Sequence, residues 1–273
     1  MKYTQPACVR LFTILLFLLF SADASRAQFS KLDDLASQIT KELKPLKPHL
    51  VAVVDFRASD GADSPQGHYF AYLISEALRN HPKKKFVVAE HQSFDDDLAR
   101  LHITGPLGPD PAHPSINTSI SADVLVIGTV ERRGSVYVIQ ASPLLVAKNK
   151  IFSAVQQEIV RNEFLDSMVV SFPPNAAKAG KDDAGMPSCV HCPDPSYNDL
   201  ARSKKIQGAC VLTVLISAEG AAQQIRLEKM LGYGLDEKAY EAIKRWSFRP
   251  ARRKSDDQPV AVIVPIEVTF RLF

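Results

Sequence analysis

The sequence predicts an α+β chain: an N-terminal α/β layer sandwich, then a small α-β-β-α-β domain with a three-stranded antiparallel sheet. Three observations carry this. Apolar β-branched runs alternate with helical stripes in the first part of the chain. Composition changes over residues 173–186, and the last strand alternates strictly between apolar and polar positions. Of the 273 residues, 46% are hydrophobic and 23% charged, which is enough to build a core. The net charge of +3 is far from the basic bias of a nucleic-acid binder, so no nucleic-acid partner is expected.

The elements follow in order. Leu32, Leu35, Ala36, Ile39 and Leu43 form one helical stripe behind a capping Ser30. Leu50 to Phe56 is a continuous apolar run suited to a buried strand. After a polar loop, Ala58 to Gly67, the residues Tyr69, Leu73, Ile74, Ala77 and Leu78 mark a second helix. Phe86 to Ala89 reads as a strand. Ser93 caps a helix to Leu101, with Asp95, Asp96 and Asp97 in its first turn, where the helix dipole favours negative charge. Residues 104–118 read as a loop. Val124 to Val130, Val136 to Ile139 and Ile151 to Val160 are strands, and Asn162 to Val170 is a helix. Residues 173–186, rich in Pro, Ala, Gly and Lys, read as a linker.

The C-terminal part opens with a short helix, Ser196 to Ile206. In the next strand Cys210, Leu212, Val214 and Ile216 share a face. A turn at Gly220 leads to a second strand, Gln223 to Met230. A helix from Asp236 to Ser247 buries Leu235, Ala239, Ala242, Ile243 and Trp246, and Pro250 stops it. The final strand sends Val260, Val262, Val264, Ile266, Val268, Phe270 and Leu272 one way. Ile263, Glu267, Thr269 and Arg271 go the other way.

The N-terminus addresses the compartment. Lys2 and Arg10 precede the apolar run Leu11 to Phe20, and Ser25 and Ala27 suit cleavage after Ala27. This is the pattern of a secretory signal peptide. As a helix the run reaches only about 15 Å, half of the roughly 30 Å bilayer core. The expected organisation is a signal peptide at 1–27, an α/β domain at 28–172, a linker at 173–186 and a final domain at 187–273. The expected location is the periplasm, an oxidising compartment. The alternative is an uncleaved anchor in the inner membrane, and membrane association is expected only then.

The runs "YNDLARSKKIQGACVLTVLISAEG", "GLDEKAYEAIKRWSFRPARR" and "PVAVIVPIEVTFRL" together resemble the C-terminal domain of TonB-family proteins. Pro195, Tyr197, Ala201, Gly208, Gly220, Asp236, Ala239, Trp246, Phe248, Pro250 and Phe270 carry the match. The resemblance implies a periplasmic, non-enzymatic interaction module that binds outer-membrane receptors by adding a receptor peptide to its sheet in transmembrane transport. That mode uses main-chain hydrogen bonds at an open edge. Val260, Val262, Ile263, Val264, Ile266 and Val268 of the final strand are the candidate peptide-binding residues. Self-pairing into a homodimer is the simpler use of an open edge. The family's transmembrane anchor and long Pro-rich spacer are missing from this pattern, which favours as alternative a structural envelope-assembly protein without energy transduction. The front half weakly resembles the FlgO and CsgG kind of periplasmic α/β domain.

No metal, cofactor or catalytic constellation is expected. Asp95 to Asp97 point in different directions around a helix. Asp55 reads as a turn or capping group. His49, His68, His81, His102 and His113 are scattered without ligand spacing. Arg249, Arg252, Arg253 and Lys254 form a basic cluster that could meet an acidic partner. The pair Cys189 and Cys192 is C-x-x-C, yet haem attachment needs a following His, zinc needs two further ligands, and a thioredoxin site needs a βαβ context. A local Cys189–Cys192 disulfide is therefore expected, with Cys210 buried in the core.

Overall fold

The computed structural model describes residues 30–91 and 122–272. The expected signal segment, the helix at 93–101 and the loop at 104–118 lie outside the described residues. Helix α1 covers residues 30–43, and its whole apolar stripe from Leu32 to Leu43 is buried. β1 (Leu50–Val53), β2 (Arg57–Ala58), α2 (Pro65–Arg79) and β3 (Val87–Val88) follow. Then come β4 (Val124–Arg133), β5 (Val136–Leu145), β6 (Lys150–Ile151), β7 (Val155–Val160) and a short α3 (Glu163–Ser167). They form a seven-stranded sheet with the path β3-β1-β4-β5-β6, with β2 beside β4 and β7 beside β5. β3, β1 and β4 are parallel, while β4, β5 and β7 extend the sheet antiparallel. The expected mixed sheet is thus formed, with β5 longer than its apolar run suggested.

Val51, Val53, Val124 and Val126 face α1 and α2, whereas Ala52, Val54 and Leu125 form a smaller cluster on the other face. Burial on both faces explains why β1 and the start of β4 read as unbroken apolar runs. Ser64 caps α2 by accepting a hydrogen bond from the Gly67 amide at 3.0 Å, and Pro65 begins the helix.

The C-terminal half contains β8 (Ala177–Lys178), β9 (Ser188–His191), α4 (Asp199–Ser203), β10 (Gly208–Ile216) and β11 (Ala222–Lys229). These are followed by α5 (Leu235–Ile243), β12 (Ser247–Arg249), β13 (Ala251–Arg252), β14 (Pro259–Val260) and β15 (Val262–Phe270). β11, β10 and β15 form the expected three-stranded antiparallel sheet. The segment read as a linker adds a fourth strand, since β8 pairs parallel with the start of β15. Its Ala184 is buried with Ala251 and Val262 in a small satellite core. Spacing cannot show this, because a segment without periodic apolar residues still has backbone groups that can extend a sheet.

The main hydrophobic core runs without a break from Leu32 to Phe270 and includes side chains of both halves. Phe164 meets Tyr240 edge to face at 5.6 Å. Tyr72 donates its hydroxyl to the Leu231 carbonyl, and Tyr233 donates to Glu76. Lys244 pairs with Glu163, and Asn162 donates to Glu237.

Candidate functional site

β15 is held on one side along its whole length by β10, from Gly208↔Phe270 to Ile216↔Val262. On the other side β8 covers only Val262 and Ile263. The Ala179 amide donates to the Ile263 carbonyl at 3.0 Å, so the backbone groups of Ile263 point away from β10. Backbone groups alternate along a strand. Those of Pro265, Glu267 and Thr269 therefore point outward too, and among the described residues no strand pairs with them. Pro265, which has no N–H, sits where its missing donor disturbs no ladder. The open edge offers the N–H and C=O of Glu267 and Thr269 and the C=O of Pro265, and all three side chains are exposed.

The apolar residues expected to bind a peptide are placed differently from one another. Val262, Val264 and Val268 are buried in the core and Ile266 is half-buried. Their backbones face β10. Ile263 sits under β8, and Val260 pairs with Ala251 in the small β13–β14 ribbon. What the edge can present is main chain, and the donors belong to the polar positions between the apolar ones.

Local residues fix this strand. Tyr197 donates its hydroxyl to the Ile206 carbonyl at 2.9 Å and packs edge to face on Phe270 at 5.5 Å. Asn198 caps α4 and also donates to the Tyr233 carbonyl. Asp236 is fully buried, and its carboxylate accepts from the Leu231 and Gly232 amides at 2.8 Å. Burial pushes its carboxyl up to about 6, against the pull of those amides.

The cysteine pair closes as expected, Cys189 to Cys192. It lies on β9, which pairs with β12, and Trp246 donates its indole N–H to the Pro193 carbonyl at 2.9 Å. Cys210 is buried, and burial pushes its thiol up to about 12, so it is not a reactive thiolate. In the basic cluster Arg252 meets Asp257 and Arg253 meets Asp256. Arg249, Arg252, Arg253 and Lys254 are all exposed, with acidic neighbours already at two of them. A groove of about 1210 Å³ lined by Lys41, Lys44, Lys47, Lys83, Lys85 and Lys204 is a second basic surface. Its lysines come from α1 and the turn that follows it, the segment after α2 and the C-cap of α4, so no single run in the sequence displays it.

One constellation escaped the sequence reading. Asp55, expected to be a turn group, faces two histidines. Parallel pairing of β1 and β3 brings the chain after each strand to the same end of the sheet. This sets His91 beside Asp55, with His91 Nε2 at 3.0 Å from Asp55 Oδ1. His68 lies in the first turns of α2, with Nδ1 at 2.7 and 2.8 Å from the two carboxylate oxygens. Burial alone would raise the Asp55 carboxyl, but the two imidazole rings beside it outweigh burial and hold it well below the usual range. The approach depends on Gly67, where a Cβ would lie 1.8 Å from the Phe56 carbonyl oxygen. Residues 55, 68 and 91 share no spacing that sequence reading could recognise.

Residues 193–272 match the family model described as the Gram-negative bacterial TonB protein C-terminal. This segment is a TonB-type C-terminal domain. Protein tonB2 of Pseudomonas aeruginosa is 38% identical over 79 residues, covering 29% of this chain and 29% of that protein. Protein TonB of Vibrio cholerae serotype O1 is 35% identical over 81 residues, covering 29% of this chain and 32% of that protein. The chain thus spans less than a third of the length of the curated relatives it matches. Among solved structures, the LpoB C-terminal domain from Escherichia coli aligns with a TM-score of 0.35 at 14% identity, over 48% of this chain and 98% of that one. Among the described residues no helix is long and apolar enough to cross a membrane.

Proposed function

We propose that this chain is an exported envelope protein whose TonB-type domain captures a peptide of an outer-membrane TonB-dependent receptor as an added strand on β15. The observation that carries the reading is the open edge from Pro265 to Thr269 in a domain matching the TonB C-terminal family. Strand addition needs a row of unpaired donors and acceptors on a stable sheet. The β10–β15 ladder supplies the stable sheet, and Glu267 and Thr269 supply the donors.

The test measures binding of receptor N-terminal peptides to the full chain by fluorescence anisotropy. Glu267→Pro removes one outward N–H at an exposed edge position and leaves the β10 ladder intact. Binding is expected to fall at least about tenfold, the cost of one or more main-chain hydrogen bonds. Unchanged binding by a folded Glu267→Pro chain refutes strand addition. Proline at Val264 is a poor test, because its amide faces β10.

A second reading is an envelope-assembly protein that uses the same edge without energy transduction. The continuous core favours it, because the TonB-type domain is packed against the front half instead of hanging on a spacer. Failure of every receptor peptide to bind the wild-type chain, with the edge still required for capturing another envelope protein, selects this reading.

A further inference from the structure

We propose that Asp55, His68 and His91 hold a divalent transition-metal ion of the zinc class. Among the described residues, these three form the one group of His, Cys, Asp and Glu whose ligand atoms all converge, within 4.8 Å of one another.

His91 is 3% exposed, and its ring Nδ1 lies 2.8 Å from the Val53 carbonyl oxygen, an acceptor only. Nδ1 therefore carries the proton of a neutral ring. Nε2 then presents a lone pair, and it faces Asp55 Oδ1 at 3.0 Å, a second acceptor. Two acceptors at that distance repel unless a cation satisfies both, either a proton that makes the ring imidazolium or a metal ion between them. His68 brings a third donor atom to the same carboxylate. Three converging ligand atoms are the number that a zinc site with an open position takes from the protein.

A histidine that ligates through one nitrogen characteristically donates the other N–H to a backbone carbonyl or carboxylate, which fixes its tautomer. Val53 fills that role for His91. Two imidazoles and one carboxylate suit the zinc class better than magnesium or calcium, which prefer all-oxygen sets. Tetrahedral metal–ligand bonds of about 2.0–2.2 Å set the ligand atoms roughly 3.3–3.6 Å apart. The 2.7 and 3.0 Å contacts to Asp55 lie below that spacing and the 4.8 Å spread of the three ligand atoms above it, so adjustments on the order of 1 Å or less seat an ion among them. The position is also apt, because in open α/β sheets ligands sit beyond the carboxyl ends of the parallel strands. Asp55 and His91 follow β1 and β3 at that end, and α2 delivers His68 to it. Three protein ligands leave a coordination position for water or a further ligand.

The test is isothermal titration of zinc into the full chain, stripped with chelator and prepared without affinity histidines. One equivalent is expected to bind. His68→Ala and Asp55→Asn should each weaken binding by at least the roughly 10–100-fold that even outer-shell losses cost. His81→Ala, whose ring contacts Ser37 outside the cluster, should bind as the wild type does. His68 and Asp55 are both about two-fifths exposed, so these variants keep the fold, to be checked by circular dichroism. Cobalt(II) gives a second readout: its visible absorption bands should appear with the wild type and be lost in His68→Ala. The proposal is overturned if the folded wild type binds no zinc, leaving His91 and Asp55 as an ion pair. It is equally overturned if both ligand variants bind zinc as the wild type does.

Discussion

Phe164→Ala tests whether the two halves fold as one body. Phe164 is buried in α3 of the front half and packs edge to face on Tyr69 at 5.5 Å and on Tyr240 of α5 at 5.6 Å. Truncating a buried Phe costs about 3–5 kcal/mol through lost transfer energy and the cavity left behind. Two aromatic pairs go with it, which places the cost toward the upper end of that range. With a urea m-value of about 3 kcal/mol/M, suited to a chain of this size, the midpoint should fall by more than about 1 M. The sequence has a single tryptophan, Trp246, and it lies in the C-terminal half, outside the front-half element that carries the substitution. Its fluorescence should therefore report the shift as fully as far-ultraviolet circular dichroism does, in one coincident transition. If the circular dichroism transition moves or splits while the Trp246 midpoint stays in place, the shared core does not couple the halves and the reasoning fails.

Other outcomes follow from single residues. Asp236 has its carboxyl raised to about 6 against an ordinary 3.8, so its contribution is complete only well below pH 3.8 and is lost as pH rises through 6. Relative to wild type, Asp236→Asn should gain about 2 kcal/mol between pH 4 and pH 7, read by urea denaturation at both values; a difference independent of pH refutes the assignment. Gly220 has φ +85° and a Cβ there would lie 1.9 Å from the Phe248 carbonyl oxygen. Gly220→Ala should cost at least about 2 kcal/mol and lower the melting temperature by roughly 4–8 °C. Replacing Cys189 and Cys192 together by Ser opens only a very short loop and should cost no more than about 2 kcal/mol. A thermal melt showing loss of the whole fold would mean that the disulfide, and not the β9–β12 pairing, holds the start of the TonB-type domain.

What was legible in the sequence depended on how local the cause was. The stripe from Leu32 to Leu43 and the alternation from Val262 to Phe270 declare their faces because a residue's face follows from helix or strand period alone. The cysteine pair was readable because its partners are close in the chain. β8 was not readable, since two residues without apolar pattern join a sheet only because β15 leaves backbone groups open beside them. The front helix α3 was expected longer than Glu163–Ser167; its capping Asn162 was inside the expected range.

The sequence by itself determined the identity of the TonB-type domain, the inward face of its last strand and the burial of Cys210. Each of these rests on periodicity or on an ordered set of residues along the chain. Only the tertiary structure decided which backbone groups of β15 remain open, because that depends on strands from distant segments, β10 and β8, taking one side and part of the other. It also decided that Asp55, His68 and His91 meet. Parallel strand pairing and the close packing of α2 at Gly67 bring together residues whose separations in sequence carry no signal.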